Sequence, residues 1–404
     1  MIRNQAAVVG VGYSRIGRRL GRPVGLLAKD AVDAAIVDAG LTHADIDGAA
    51  THPIHPVVGD AGGRDGDDRV SLRWMVRHGG LSNVGWFADC QLGNVSTVIQ
   101  HAVTALSQGL CSYAVVWRAL GIPQAGGYQA DFDSERASGS FAFSLPYGLS
   151  GAPMGFALTY NRYLKLYGAT REHMAALAIA QRRGANANPY AHFKDVPLSR
   201  EGYLSGRMVA DPLSLYDCDI PVDGAGAIIL ARADRAADLP NRPAYVVGTG
   251  QAGFNFATVG ADIGTTGPQV FEDCRTTAAT VGRSLWANTG LKPSDMDGAM
   301  LYDGFGPDVY FWLEGMGFCG EGEGFEFIQD GRIEIGGELP VNTHGGNLSQ
   351  GRIHGIGHWI EAVLQVQGRA ERRQIAGARN IAVASGLLAN GSGAVISSEP
   401  GDAR

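Results

Sequence analysis

The chain repeats itself. AAVVGVG at Ala6 to Gly12 returns as AYVVGTG at Ala244 to Gly250, 238 positions later. GLTHADIDGA at Gly40 to Ala49 returns as GLKPSDMDGA at Gly290 to Ala299, with six of ten positions identical. DGAGAIIL at Asp223 to Leu230 is answered by NGSGAVIS at Asn390 to Ser397. Three matched pairs in the same order mark an internal duplication, and a duplication dictates the fold more strongly than any single element. In each half, short apolar runs ending in glycine precede alanine-rich helical runs. That alternation predicts βαβ units with mainly parallel strands buried on both faces. The halves are expected at residues 1–235 and 243–404, joined through the polar stretch ADRAADLPNRP that ends at Pro243.

Residues 118–210 in the first half have no counterpart in the second. They mix aromatics, glycines and prolines with two helix-like runs. An insertion of this kind is expected to cover a site at the end of a sheet.

Composition removes several function classes. The chain has 404 residues, 45% of them hydrophobic and 18% charged, so a large buried core is expected and a long disordered region is not. Lys and Arg number 33 against 40 Asp and Glu, a net charge of −7 with no long basic cluster. That balance argues against a nucleic-acid binder. The start, MIRNQAAVVGVGYSR, does not read as a signal peptide, and no apolar stretch is long enough for a membrane span. Five scattered cysteines without a CxxC fit a reducing cytoplasm better than a disulfide framework. GVGYSRIG, at Gly10, lacks the spacing of the dinucleotide fingerprint.

The densest cluster of chemistry is NTHGGNLSQGRIHGIGH, residues 342–358, directly before the apolar helical run WIEAVLQV. Together with NPYAHF (188–193), MVADPLSLYDCDIPVDGAGAIIL (208–230) and LYDGFG (301–306), it resembles the thiolase superfamily, most of all its sterol-carrier and lipid-transfer-protein branch. The resemblance covers nearly the whole chain. It implies a duplicated α/β fold of five αβαβα layers with two mainly parallel mixed sheets, acyl-CoA thioester substrates and a homodimeric core.

Thiolase chemistry needs a nucleophilic cysteine, two histidines and a second cysteine. Cys90, in Cys-x-x-Gly before a helical run, stands at the nucleophile's position, where a helix N-terminus would lower a thiol pKa. Tyr302 stands where the degradative thiolases of this branch have histidine, followed by the retained Asp303. Arg352 holds the place of the second histidine and cannot act as a base. Ser385 replaces the second cysteine. With three of four groups changed, ordinary thiolysis is disfavoured.

The departures point instead toward the lipid-transfer-protein-type aldolases of steroid side-chain breakdown. These resemble the chain in the tyrosine of LYDGFG and in the THGGNLS loop. They perform a retro-aldol cleavage of a β-hydroxyacyl-CoA with two tyrosines and no nucleophilic cysteine. Tyr302 matches the first tyrosine; Arg352 occupies the position of the second. Such enzymes work with a separate small partner of OB-fold and zinc-ribbon build.

The residues themselves suggest the following roles. Gly345 and Gly346 would offer backbone N–H groups as an oxyanion hole. Tyr302 would handle a proton, with Arg352 lowering its pKa or binding an alkoxide, a carboxylate or a CoA phosphate. His344 and His354 are candidate bases, whereas His358 opens the helix and reads as structural. Asp303 would fix Tyr302 or cap a helix. Asn342 and Ser349 would orient the loop and border the substrate, as Ser385 would. Pro146, Tyr147, Met154 and Phe156 of the insertion would line an apolar acyl pocket. Beside the aldolase stand two other readings: a thiolase or acyltransferase using Cys90, and a non-catalytic acyl-CoA or lipid-binding subunit. No cofactor is expected beyond the CoA thioester, and no metal.

Overall fold

The repeated strings lie side by side at the centre of one sheet: β1 (Ala6–Tyr13) pairs with β8 (Ala244–Ala252). The computed structural model describes residues 5–53, 64–90, 94–122, 145–149, 152–252, 270–387 and 390–400. After β1 the first half continues with α1 (Val24–Asp38), β2 (Gly48–Thr51), α2 (Leu72–His78), β3 (Trp86–Asp89), α3 (Val95–Ser107) and β4 (Tyr113–Leu120). The inserted segment supplies α4 (Ala152–Tyr167), α5 (Arg171–Asn186), α6 (Arg200–Leu204) and the hairpin β5 (Met208–Ala210) and β6 (Leu213–Ser214). β7 (Gly224–Arg232) and α7 (Ala233–Ala236) close the half. The second half runs from β8 through α8 (Val270–Thr289), β9 (Gly298–Leu301), α9 (Asp308–Gly315), α10 (Gly324–Phe327), α11 (Ile356–Gln367) and β10 (Asn380–Leu387) to β11 (Asn390–Ser397).

Among the described residues the strand order is β3-β2-β4-β7-β1-β8-β11-β10-β9. Outward from the centre, β1, β7, β4 and β2 are matched by β8, β11, β10 and β9. In each half one strand, β7 or β11, runs against the others. This is the mixed, mainly parallel arrangement expected, with one addition. The half-sheets are hydrogen-bonded to each other, because Ala7 and Val8 pair with Tyr245 and Ala244.

Five layers result. α1 covers the outer face of the first half-sheet and α8 that of the second. α3 and α11 lie between them and touch strands of both halves. Three separate hydrophobic clusters fill the interfaces. The glycines of the repeated strings set the helix-to-strand distance. A Cβ at Gly12 would lie 2.2 Å from Ala31 O of α1, and one at Gly250 would lie 2.6 Å from Val281 O of α8. The second repeat also keeps its mechanism. Asp47 accepts the N–H groups of Ser112 and Tyr113 at the start of β4. Asp297 accepts those of Arg379 and Asn380 at the start of β10.

Residues 118–120 belong to β4 and thus to the duplicated core, so the expected insertion starts after Leu120. Its helix α4 packs on α8, and Phe156 stacks on Phe305 of LYDGFG with ring centroids 4.3 Å apart. No described helix is long and apolar enough to cross a membrane, and all five cysteines are unpaired.

Candidate functional site

β9 ends at Leu301, and the loop carrying Asn342 fixes where it ends. Leu301 N donates to Asn342 Oδ1 (2.7 Å), and Asn342 Nδ2 donates to Leu301 O (2.8 Å). Asn342 therefore uses its amide on the strand and is not a substrate contact. Released from the sheet edge, the chain presents Tyr302, whose N–H donates to Ala384 O of β10 (3.0 Å).

Asp303 is fully buried and accepts Asn347 N (2.9 Å), Leu348 N (3.3 Å) and His358 Nε2 (3.0 Å). The two amides belong to a single π-helical turn, Gly346–Gln350, a geometry that often marks functional sites. A Cβ at Gly346 would sit 2.1 Å from Asp303 Oδ2, and φ there is +58°. The glycine pair thus builds an anion nest, but the protein's own carboxylate fills it. Gly345 N also donates to Asn342 O (2.8 Å). This corrects the oxyanion-hole reading for Gly345, whose N–H is spent on the loop, and the N–H groups that follow Gly346, those of Asn347 and Leu348, are spent on Asp303.

Four charged or polar groups set the chemistry of Tyr302. Burial pushes the phenol up to about 12; the Arg352 charge pulls it down, and Asp219, Asp308 and Asp303 push it up. Arg352 acts in the direction expected but is outweighed, so Tyr302 is a proton donor and not a phenolate at neutral pH. Burial is the main reason, and Asp219, which the sequence reading missed, adds to it. Its Oδ2 lies 3.0 Å from Arg352 Nε, with both side chains almost wholly buried. A buried arginine beside a carboxylate is charge-compensated. Asp308 is also buried, accepts Phe305 N (3.0 Å), and is held by burial well toward its neutral form.

Four histidines surround this group, and their partners separate their roles. His354, at φ +58°, has Nδ1 within reach of Arg118 Nε (3.2 Å) and Nη2 (3.0 Å). A guanidinium only donates, so Nδ1 accepts and the ring proton sits on Nε2. His354 therefore offers a donor, which corrects its assignment as a base. His354 stacks on His52 at 5.6 Å and meets the Tyr302 ring edge-on at 6.2 Å. Burial pushes His52 down to about 4, and Arg118 adds to the shift; its Nδ1 donates to Cys90 O (2.7 Å). His344 is fully buried, and burial, then His358 and Arg373, hold it well below the usual imidazole range. It stays neutral and takes up no proton, so it too is not the base. Its ring meets His358 edge-on at 4.7 Å, and His358 lies 6.0 Å from the Tyr302 ring. Sequence reading took His358 for a structural residue. The missed signal was its spacing: His354 and His358 stand four apart, one of them at the opening of α11.

Cys90 follows β3. Its Sγ is 3.3 Å from His101 Nδ1, and burial, with Asp89, pushes the thiol up. The expected lowering at a helix N-terminus is overturned, because burial disfavours the thiolate. Ser385 on β10 accepts from Ser96 Oγ (2.7 Å), which accepts from Trp359 Nε1 (2.7 Å). A Cβ at Gly355 would lie 3.4 Å from Ser385 Oγ and 3.5 Å from Tyr302 Cδ2, so Ser385 does border Tyr302. Ser349 accepts Arg182 Nε (3.0 Å) of α5 and ties the loop to the insertion, away from a substrate role. Met154 is half-buried on α4, Phe156 is buried, and Tyr147 is 82% exposed.

Comparison with known proteins fits this arrangement. Residues 269–399 match the family model "Thiolase C-terminal domain-like". The chain is 34% identical to a 17-hydroxy-3-oxo-4-pregnene-20-carboxyl-CoA lyase of Mycobacterium tuberculosis, over 98% of this chain and all of the relative. It is 33% identical to a steroid side-chain-cleaving aldolase of Thermomonospora curvata, over 98% of both chains. The chain belongs to the thiolase-fold steroid side-chain-cleaving aldolases. A solved Ltp2–ChsH2(DUF35) aldolase superposes with a TM-score of 0.85 at 33% identity, covering 98% of each chain. A human mitochondrial 3-ketoacyl-CoA thiolase superposes with a TM-score of 0.65 at 15% identity, over 98% of this chain, which reflects the shared fold alone. The family's aldolase members are carbon–carbon lyases, and the phenol of Tyr302 near the Arg352 charge suits that chemistry.

Proposed function

We propose that the protein cleaves a steroid side chain by retro-aldol reaction of a β-hydroxyacyl-CoA. The observation that carries this reading is the state of Tyr302: a neutral, half-buried phenol beside the Arg352–Asp219 pair, with the Cys90 thiol pushed up by burial. Retro-aldol cleavage needs no covalent sulfur adduct. It needs a base for the β-hydroxyl and an acid that returns a proton to the departing thioester enolate. Tyr302 is that acid. Arg352 faces it with a permanent charge that stabilises the phenolate left behind. Ser385 and the insertion around Met154 border the acyl group.

Cys90-dependent thiolysis is disfavoured because thiolate formation is opposed at that site. The working form is a homodimeric core joined by a small OB-fold and zinc-ribbon chain; the likeness to the Ltp2–ChsH2(DUF35) aldolase supports the second chain. Five unpaired cysteines suit a cytoplasmic setting.

The test is co-expression with such a partner and incubation with 17-hydroxy-3-oxo-4-pregnene-20-carboxyl-CoA, with products read by mass spectrometry. A ketosteroid and a shortened acyl-CoA are expected from the wild type, and neither from Tyr302→Phe. Full turnover by Tyr302→Phe would refute the assignment. Tight thioester binding with no turnover, partner present, would favour a binding subunit instead.

A further inference from the structure

Cleavage needs two proton-handling groups, and Tyr302 supplies one. The cation acting on Tyr302 is Arg352. Arginine cannot accept a proton. The base must therefore come from elsewhere in the chain.

The four histidines at the site can be sorted by what each ring nitrogen touches. His354 has Nδ1 covered by Arg118. Among the described residues His52 and His344 have no carboxylate hydrogen-bonded behind them, and burial opposes their protonation. His358 is hydrogen-bonded to a carboxylate: Nε2 lies 3.0 Å from Asp303 Oδ1. That bond fixes the ring proton on Nε2 and leaves the Nδ1 lone pair as the acceptor. Among the described residues Nδ1 has no hydrogen-bond partner, although the side chain is fully buried. Asp303 is itself immobilised by Asn347 N and Leu348 N. The groups facing the ring are Asp303 and Tyr302 from the segment after β9 and His344 from the loop before the π-turn. Arg352, Asp219 and Asp308 act on Tyr302.

We infer that His358, oriented by Asp303, is the catalytic base of the retro-aldol step. This rests on the lyase reading above. The substrate O–H bond breaks and its proton passes to His358 Nδ1. The freed electron pair forms the ketone carbonyl, the Cα–Cβ bond breaks, and its pair moves into the thioester enolate. Tyr302 O–H delivers a proton to Cα, and the phenolate recovers a proton from the His358 imidazolium. The cycle balances with no redox partner. Asp303 supplies the negative charge that the transient imidazolium requires.

His358→Gln tests this, because its amide N–H can keep the bond to Asp303 while carrying no basic nitrogen. With the partner chain present and 17-hydroxy-3-oxo-4-pregnene-20-carboxyl-CoA as probe, kcat is expected to fall by about 10²–10⁴-fold. KM and the thermal midpoint should stay near wild type, and the acid limb of the kcat/KM profile should vanish. His358→Asn serves the same purpose if His358→Gln fails to fold. An active wild type matched by an equally active variant overturns this inference alone. So does residual activity that keeps the wild-type acid limb. A wild type inactive on every β-hydroxyacyl-CoA overturns the lyase reading and this inference with it.

Discussion

The two halves reach the site through equivalent positions and bring different chemistry. The repeat that aligns GLTHADIDGA with GLKPSDMDGA places His52 opposite Tyr302, one residue past β2 and β9. The pairings β2–β4 and β9–β10 likewise place Arg118 opposite Ser385. His354 lies between the two sets, stacked on His52, bonded to Arg118 and edge-on to Tyr302. The first half thus supplies a cation that fixes an imidazole as a donor. The second supplies a phenol as an acid and a carboxylate, Asp303, that holds another imidazole. Duplication fixed the places; substitution divided the labour.

The comparison can be broken most decisively at Tyr302. Tyr302→Phe should lower kcat by about 10²–10⁴-fold without unfolding the protein, as steady-state turnover and circular dichroism would show. If His52→Asn proved equally damaging, the halves would not differ as described. Arg118→Met is expected to cost about 10–100-fold in kcat, because it releases the His354 tautomer; turnover should be measured alongside the thermal midpoint. Gly346→Ala drives a Cβ into Asp303 and strains a positive φ. It should cost about 2–4 kcal/mol in denaturant unfolding.

A fourth prediction concerns pH. His52 has a folded pKa lowered to about 4, below its unfolded value of about 6.5, so the unfolded chain binds the extra proton between them. Stability is complete above about pH 6.5 and is lost as pH falls toward 4, by about 3 kcal/mol for this group. His52→Asn should flatten that part of the urea-unfolding profile relative to wild type. The smallest expected effect is that of Cys90→Ser, which should leave lyase turnover within about threefold, with slow iodoacetamide labelling of the wild type at neutral pH.

Much of the architecture was legible because a duplication is a property of the string. The matched segments, the glycines that end them and the Asp-Gly pair before β2 and β9 each have a local cause, and each reappeared as a matched strand or turn. The chemistry was legible only as residue types. Tyr302 and Arg352 stood out as substitutions, yet nothing local reports that Asp219 compensates Arg352, or that Asp303 fills the nest formed around Gly346. Nor could spacing show that Arg118, 236 positions before His354, fixes its tautomer. Helix-terminus reasoning pointed to a lowered Cys90 thiol, set against a plain packing role; its burial among strands and helices from distant parts of the chain pushes the thiol up instead.

The sequence by itself therefore determined the repeated scaffold, the loop that carries the site and the replacement of three of the four thiolase groups. Tertiary structure alone decided which ring donates, which accepts and which carboxylate meets which cation. Protonation depends on burial and on neighbours within a few ångströms, and those neighbours come from segments that only folding brings together.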